Sequence, residues 1–314
     1  MSENRHIFGP VPSRRLGFSL GVDIVPLKTC SFDCIYCQLG RTTRKTIKRM
    51  EYARAGEVLK ELETSLEDCP APDYITFSGS GEPTLNSKLG EMISEIKKMT
   101  SVPVAVLTNA GRFTPSVRDD LCKADLILPS LDAVTQESFE RINRPHEKLD
   151  IEHIIANLKI LCKHFQGETW LEVMLAKGVN DSREEISKMA GVLQQINPDK
   201  IQLNTVTRPP SEPDALALSQ AELEGVKNIL GDKAEIIGSF EGKTPGVYSR
   251  KRKDDIINLL KRRPCTISDI SSSLGIPKNE LTKYLKDMER RGKVESFTHS
   301  ARTYFQALTT AELR

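Results

Sequence analysis

From about Val22 to Phe240, β-branched runs alternate with amphipathic helical stretches, and this alternation limits the possible folds more than any other feature of the chain. The predicted strands are Gly21–Pro26, Tyr74–Ser78, Val102–Thr108, Leu126–Leu131, Thr169–Leu175 and Lys200–Thr205. Helical patterns lie between them, over Ala55–Glu67, Leu89–Met99, Ile151–Phe165 and Arg183–Ile196. Pro103, Pro129 and Pro198 fall at element boundaries, where a missing N–H costs least. Six βα units in series require a parallel sheet, because parallel neighbours must be joined by a crossover. The fold class is therefore α/β, either open and doubly wound or a partial (β/α)6 TIM-like barrel. Two strands favour the curled form. In IQLNT the polar Gln202 and Asn204 alternate with Ile201 and Leu203, and in TWLEVML Glu172 shares a face with Trp170 and Met174. A parallel strand covered on both faces reads as almost wholly apolar, so these polar positions suggest a face lined for a ligand.

The pattern breaks after residue 240. Residues 241–250 are punctuated by Gly and Pro and read as a linker. From Lys251 the order is helix (DDIINLLKRR), short helix (ISDISSSLG), turn (GIPKN), longer helix (NELTKYLKDMERRG) and two β-like segments (KVESFT, RTYFQAL). That is the order of a winged helix-turn-helix domain. Ile256, Ile257, Leu260, Ile267, Ile270, Leu274, Leu281, Leu285 and Met288 have the spacing of its core. The expected division is thus 1–240 for the barrel with an N-terminal extension, and 251–314 for the winged helix.

At 314 residues the chain can bury a core without help from disulfides or metal. No apolar run reaches the roughly 18 residues of a membrane span, and the N-terminus lacks the basic-then-apolar order of a secretory signal. A soluble cytoplasmic protein with no membrane partner is expected. The formal net charge of +2 conceals an asymmetry: residues 250–314 carry a balance of +7 and the remainder −5.

Seven cysteines are unevenly spread. Cys69, Cys122, Cys162 and Cys265 stand alone and read as ordinary buried thiols. Cys30, Cys34 and Cys37 lie together in KTCSFDCIYCQLG, a C-x3-C-x2-C spacing that lets one loop present three thiolates to an iron–sulphur cluster. With three local ligands, one iron of a [4Fe–4S] cube lacks a protein thiolate and is open for chemistry. Structural zinc usually takes two ligand pairs, and neither a second cysteine pair nor a histidine pair is present.

C-x3-C-x2-C with an aromatic, Tyr36, before the last cysteine resembles the signature of the radical S-adenosylmethionine (SAM) superfamily. The resemblance spans roughly Gly9–Arg208. It implies a partial (β/α)6 barrel, a [4Fe–4S] cluster on Cys30, Cys34 and Cys37, and SAM as cofactor. It further implies an external electron donor of flavodoxin or ferredoxin type, and reductive cleavage of SAM to a 5′-deoxyadenosyl radical. TFSGSGEPTL is similar to the glycine-rich motif that contacts the SAM amino group, placing Gly79, Ser80, Gly81 and Glu82 there, with Ser80 where the family commonly has glycine. The same likeness places Thr108 and Asn109 of LTNAG, Ser130 and Asp132 of LPSLDA, Glu172 and Asn204 around SAM. The opening GPVPSRRLG and LGVDIVPLKTC resemble a poorly characterised group of iron–sulphur oxidoreductases loosely classed with wyosine-synthesis enzymes of tRNA. Those enzymes resemble two-cluster proteins, whereas no other cysteine precedes Cys69 here, so a second cluster and wyosine chemistry are not expected.

Two basic features bear on the substrate. Arg41, Arg44, Lys45, Lys48 and Arg49 follow the cysteine loop and are expected to rim the mouth, with Arg14 and Arg15 as further candidates. In the tail, Lys278, Lys283, Lys286, Arg290 and Arg291 share one helical segment suited to phosphate contacts, while Phe297, Tyr304 and Phe305 supply aromatics to the wing. Three readings stand. The first is radical modification of an RNA such as tRNA, gripped by the tail. The second is modification of a protein or peptide docked by the winged helix. The third is a cluster-bearing DNA-binding regulator, which would have no need of a complete SAM pocket.

Overall fold

A computed structural model of the chain describes residues 6–68, 72–238, 252–299 and 301–308. The linker expected at 241–250 lies outside them. Eight strands form one sheet: β1 (Ile7–Ser13), β2 (Gly17–Val22), β3 (Tyr74–Phe77), β4 (Val104–Thr108), β5 (Leu126–Pro129), β6 (Glu168–Leu175), β7 (Lys200–Thr205) and β8 (Ala234–Ile236). Their spatial order is their chain order. β1 pairs antiparallel with β2, and every later neighbour is parallel. A doubly wound sheet reverses its order at a switch point; this one never reverses, so it is the partial barrel of the two alternatives. Six parallel strands, β2 to β7, are each followed by helix, among them Ala55–Asp68, Leu89–Met99, Ile151–His164, Arg183–Ile196 and Gln220–Leu230.

The period of two along each strand separates two faces. Ile75, Phe77, Val104, Val106, Ile127, Val173 and Leu203 bury themselves among the helices in the main apolar cluster. On the other face Ala105, Leu126 and Leu128 pack with Leu16 as an apolar floor, flanked by Tyr74, Leu107 and Trp170. Above that floor the same face turns polar, with Thr76, Ser130, Glu172 and Asn204 lining a cavity. The polar positions in β6 and β7 therefore do face a common interior. Gln202 shares that face but does not line the cavity: it is buried and donates its amide to Glu235 at 2.9 Å.

The first parallel strand is Gly17–Val22, not Gly21–Pro26, because Asp23 begins the turn toward the cysteines. β1 and β8 were not anticipated; β1 is a Pro-containing edge strand, the place where a strand tolerates a missing donor.

After residue 252 come helices Arg252–Leu260, Ile267–Leu274 and Lys278–Arg290, then antiparallel strands β9 (Val294–His299) and β10 (Arg302–Ala307). All nine apolar residues expected in this core belong to one cluster, joined by Leu259, Cys265, Val294 and Phe305. Val11 of β1 packs against that cluster, and Tyr304 Oη donates to the Thr207 carbonyl at 3.4 Å, so the tail sits on the barrel. Cys265 is buried and Cys162 half-buried as expected of inert thiols, but Cys122 is exposed, at the end of the short helix Pro115–Leu121; Cys69 lies outside the described residues. Among the described residues no helix is long and apolar enough to cross a membrane.

Candidate active site

Cys30, Cys34 and Cys37 occupy the loop that leaves β2. Two neighbouring segments fix that loop. On one side Lys28 N–H donates to the Ser80 carbonyl (2.7 Å) and Glu82 N–H to the Thr29 carbonyl (3.1 Å). On the other, Asp33 and Ile35 N–H groups donate to the carbonyls of Asn143 and Ile142, both at 3.0 Å. Within the loop Cys37 N–H closes a turn on the Cys34 carbonyl at 3.1 Å. All three thiols line one cavity of about 440 Å³, a size suited to a small-molecule ligand.

Two asparagine amides point at sulphur. Gly111 N–H donates to Asn109 Oδ1 at 2.9 Å, which aims Asn109 Nδ2 at Cys30 Sγ, 3.3 Å away. Asn143 Nδ2 lies 3.4 Å from Cys34 Sγ. Burial pushes the Cys30 thiol up to about 12, with the Glu82 carboxyl adding to the effect. Burial likewise raises Cys34, with Asp132 contributing, and Cys37. Such thiols ionise readily only against a bound cation, which is the chemistry of an iron–sulphur ligand set. Among the described residues no three His, Cys, Asp or Glu converge on the position of a single ion. Thiolates of an iron–sulphur cube each hold a different iron and so surround a larger volume. The donor set fits a cluster better than zinc.

The glycine-rich segment packs flat against this loop. Gly79 has φ +136°, and a Cβ there would meet Asp23 at 2.6 Å; a Cβ on Gly81 would lie 1.9 Å from the Thr29 carbonyl oxygen. Ser80, in place of a third glycine, is accommodated because its hydroxyl and N–H both bond Asp23, at 2.5 and 3.1 Å.

The carboxylates are more engaged than the sequence suggested. Glu82 is buried and accepts from Thr84 N–H (3.1 Å), Thr84 Oγ1 (2.6 Å), Thr108 Oγ1 (2.7 Å) and Asn109 N–H (2.7 Å). Burial still holds its carboxyl above the ordinary range. Asp132 accepts from Tyr36 Oη (2.5 Å), Asn143 Nδ2 (2.6 Å) and Met174 N–H (2.9 Å), and burial raises it to about 6. Its carboxylate thus braces Tyr36 and Asn143 behind the cysteines, while Ser130 lines the cavity. Glu172 receives Arg15 at 2.7 Å and Asn204 at 2.8 Å, and Asn204 receives Arg14 at 3.2 Å. Burial would push Glu172 up, but Arg15, Asn204 and Arg14 together hold it below the ordinary carboxylate range.

The cavity brings together Cys30, Cys34, Cys37, Tyr36, Gly79, Ser80, Gly81, Glu82, Thr108, Asn109, Ser130, Glu172 and Asn204, but not Asp132. Of the basic stretch 41–49 only Thr42 lines it. Arg41 turns to Asp33 (2.9 Å) and Glu212 (2.7 Å), and Arg49 to Asp120. The arginines in the cleft are Arg14, Arg15, Arg208, Arg262 and Arg263. Sequence reasoning did not single out Asp23, Asn143 or Arg208. Asp23 carried a signal, an acid closing an apolar strand, whereas Asn143 and Arg208 carried none.

Comparison with known proteins accords with this geometry. Residues 24–190 match the model of the Radical SAM superfamily. The chain is 32% identical to the UPF0026 protein MJ1312 of Methanocaldococcus jannaschii, covering 95% of this chain and 94% of that protein. It is 39% identical over 93% of its length to a Brachyspira hyodysenteriae protein named GTPase Obg, of which it spans 44%. It is 25% identical to the Probable dual-specificity RNA methyltransferase RlmN of Thermotoga sp. (strain RQ2), covering 66% of this chain and 61% of the relative. In fold it is similar to TYW1 solved with a lysine-pyruvate adduct, with a TM-score of 0.52 and 20% identity, over 71% of this chain and 75% of that one.

Proposed function

Because this chain belongs to the Radical SAM superfamily, an enzyme class that uses a [4Fe–4S] cluster and SAM, we propose that it modifies an RNA such as tRNA, with the C-terminal segment as substrate grip. The cluster, when bound and reduced, supplies the electron that cleaves SAM to a radical; the donor is an external reductant. In this reading Cys30, Cys34 and Cys37 hold three irons, and Asn109 and Asn143 donate to sulphur, stabilising the thiolates and orienting the loop. Tyr36, the segment Gly79–Glu82, Thr108, Ser130, Glu172 and Asn204 surround SAM, with Asp132 acting through Tyr36. Leu259, Arg262 and Arg263 of the tail form part of the cavity wall.

One observation carries the RNA reading: Leu259, Arg262 and Arg263 of the tail line the same cavity as the three cysteines. A substrate gripped at that part of the tail would lie beside the reacting centre. Lys278, Lys283 and Lys286 are exposed on the helix Lys278–Arg290, as a phosphate-binding surface requires. Arg290 and Arg291 are partly neutralised by Asp287, at 2.9 and 3.0 Å. The arrangement of the tail suits a winged helix, and a relative bears the name of an RNA methyltransferase.

Anaerobic reconstitution followed by dithionite should release 5′-deoxyadenosine, and Cys30→Ala, Cys34→Ala or Cys37→Ala should each abolish both that product and the brown ~400 nm absorbance. RNA should bind with an affinity that falls steeply with salt. A strain lacking the protein should lack one modified nucleoside by mass analysis. Zinc in place of iron, or an unchanged nucleoside profile, would refute the corresponding half of the proposal.

A further inference from the structure

Five arginines from three parts of the chain meet at the cleft: Arg14 and Arg15 from the turn between β1 and β2, Arg208 after β7, and Arg262 and Arg263 after the helix Arg252–Leu260. Two of them are matched by buried carboxylates. Arg15 pairs with Glu172 at 2.7 Å and Arg262 with Asp23 at 3.1 Å. The other three contact only neutral groups among the described residues. Arg14 donates to the Asn204 side-chain oxygen (3.2 Å), Arg208 to that of Gln38 (3.1 Å), and Arg263 to Ser273 Oγ at 3.5 Å. Arg263 Nε is buried with no acceptor.

The three feel one another. Burial lowers Arg208 to about 10, and the charges of Arg263 and Arg14 add to the lowering. The acids they sense are already committed: Glu172 to Arg15 and Asn204, and Asp269 to the N–H and hydroxyl of Thr266 at the start of its helix. Holding like charges together in a partly desolvated cleft is costly unless an anion enters. Guanidinium forks match phosphate oxygens in geometry as well as charge, and a lysine cluster would not offer that planarity.

We propose that Arg14, Arg208 and Arg263 form a phosphate-binding site inside the cleft, which holds a phosphate group of the substrate beside the cysteine loop. Arg14 is exposed, and Arg208 and Arg263 are half-buried. The tail is then part of the substrate site itself, since Arg263 belongs to it. The inference rests on reading the cleft as the place of reaction, but not on the substrate being RNA.

Inorganic pyrophosphate titrated calorimetrically into the anaerobically reconstituted full chain at low salt tests it. Wild-type protein should bind, and Arg208→Gln and Arg263→Gln should each weaken binding on the order of 10-fold, as expected for loss of one charge-assisted contact. Arg263→Lys should retain part of the affinity. The double variant Lys60→Gln/Lys98→Gln, on the outer helices Ala55–Asp68 and Leu89–Met99, should leave it unchanged. SAM affinity measured on the same samples should stay within about 2-fold, reporting an intact cleft. The site is overturned if wild-type protein ignores pyrophosphate, if the outer-helix variant loses as much as the arginine variants, or if SAM affinity falls in parallel. Pyrophosphate binding that depends on Arg208 and Arg263 in a protein that ignores RNA would sink the RNA reading and keep this site. RNA binding that survives both arginine variants, without pyrophosphate binding, would do the reverse.

Discussion

Glu82 is held by four donors, from Thr84, Thr108 and the Asn109 backbone, and Asn109 in turn donates to Cys30 sulphur. A carboxylate this occupied shapes the site before it meets any ligand. Truncation to Ala strands buried donors, at about 1–3 kcal/mol for each group left unpaired. Glu82→Ala should therefore lower both SAM affinity and the urea midpoint, while Glu82→Gln, which retains an acceptor oxygen, should lose less of each. Equal stability of the two variants would show that the donors find other partners. Glu172 predicts a pH effect. Its folded-state carboxyl is depressed, so its contribution is present above the ordinary carboxylate range and is lost as pH falls through the folded value. Replacing it with Gln removes that contribution, so thermal midpoints recorded from about pH 7 to 3 should fall less steeply in Glu172→Gln than in wild type. Parallel curves would contradict the assignment.

Two loops carry the cysteines and the glycine segment, while β4, β6 and β7 add Thr108, Glu172 and Asn204 to the site. The glycine segment and the cysteine loop approach so closely that side chains are excluded, and the backbone bonds Lys28–Ser80 and Glu82–Thr29 depend on that approach. Gly81→Ala should displace the Thr29 carbonyl, reducing iron retention and weakening SAM binding by roughly 10-fold or more, since misplacement of about 1 Å is costly in a site of this kind. Gly191, within the helix Arg183–Ile196, has open space where a Cβ would stand, with nothing within 4 Å of that position. Gly191→Ala should instead raise stability by about 0.5–1 kcal/mol in urea unfolding, through helix propensity. Helices and strands with strong periodicity were legible: Leu89–Met99, Arg183–Ile196 and Lys200–Thr205 have the predicted bounds. The edge strand Ile7–Ser13 was not, because its two prolines and mixed burial give no period of two.

Over the full chain, the tail is tied to the barrel by a pair that is buried on both sides. Arg262 and Asp23 have side chains only 8% and 6% exposed, and Arg262 also lies 4.6 Å over the Phe8 ring. Asp23 in turn holds Ser80, so the tie reaches the glycine segment. Removing one partner of such a pair leaves a buried charge, at about 3–5 kcal/mol. Arg262→Met should cost that much in urea unfolding, weaken SAM binding, and let trypsin release the C-terminal segment sooner. The double variant Asp23→Asn/Arg262→Met should recover part of the stability; a double variant no better than the single would mean that the pair is not the tie.

The class of fold could be read directly from the order of residues, and so could the three cysteines proposed as cluster ligands, because both rest on local information: a repeating hydrophobic period in one case, and three thiols within eight residues in the other. Which polar groups meet in the cleft depended on how the chain folds back on itself. Asn143, 109 residues from Cys34, and Arg262, 239 residues from Asp23, become partners only when the sheet curls and the tail closes over it. No local pattern encodes a contact between side chains so far apart in the chain, so Arg208 and Arg263 acquired their place only with the fold.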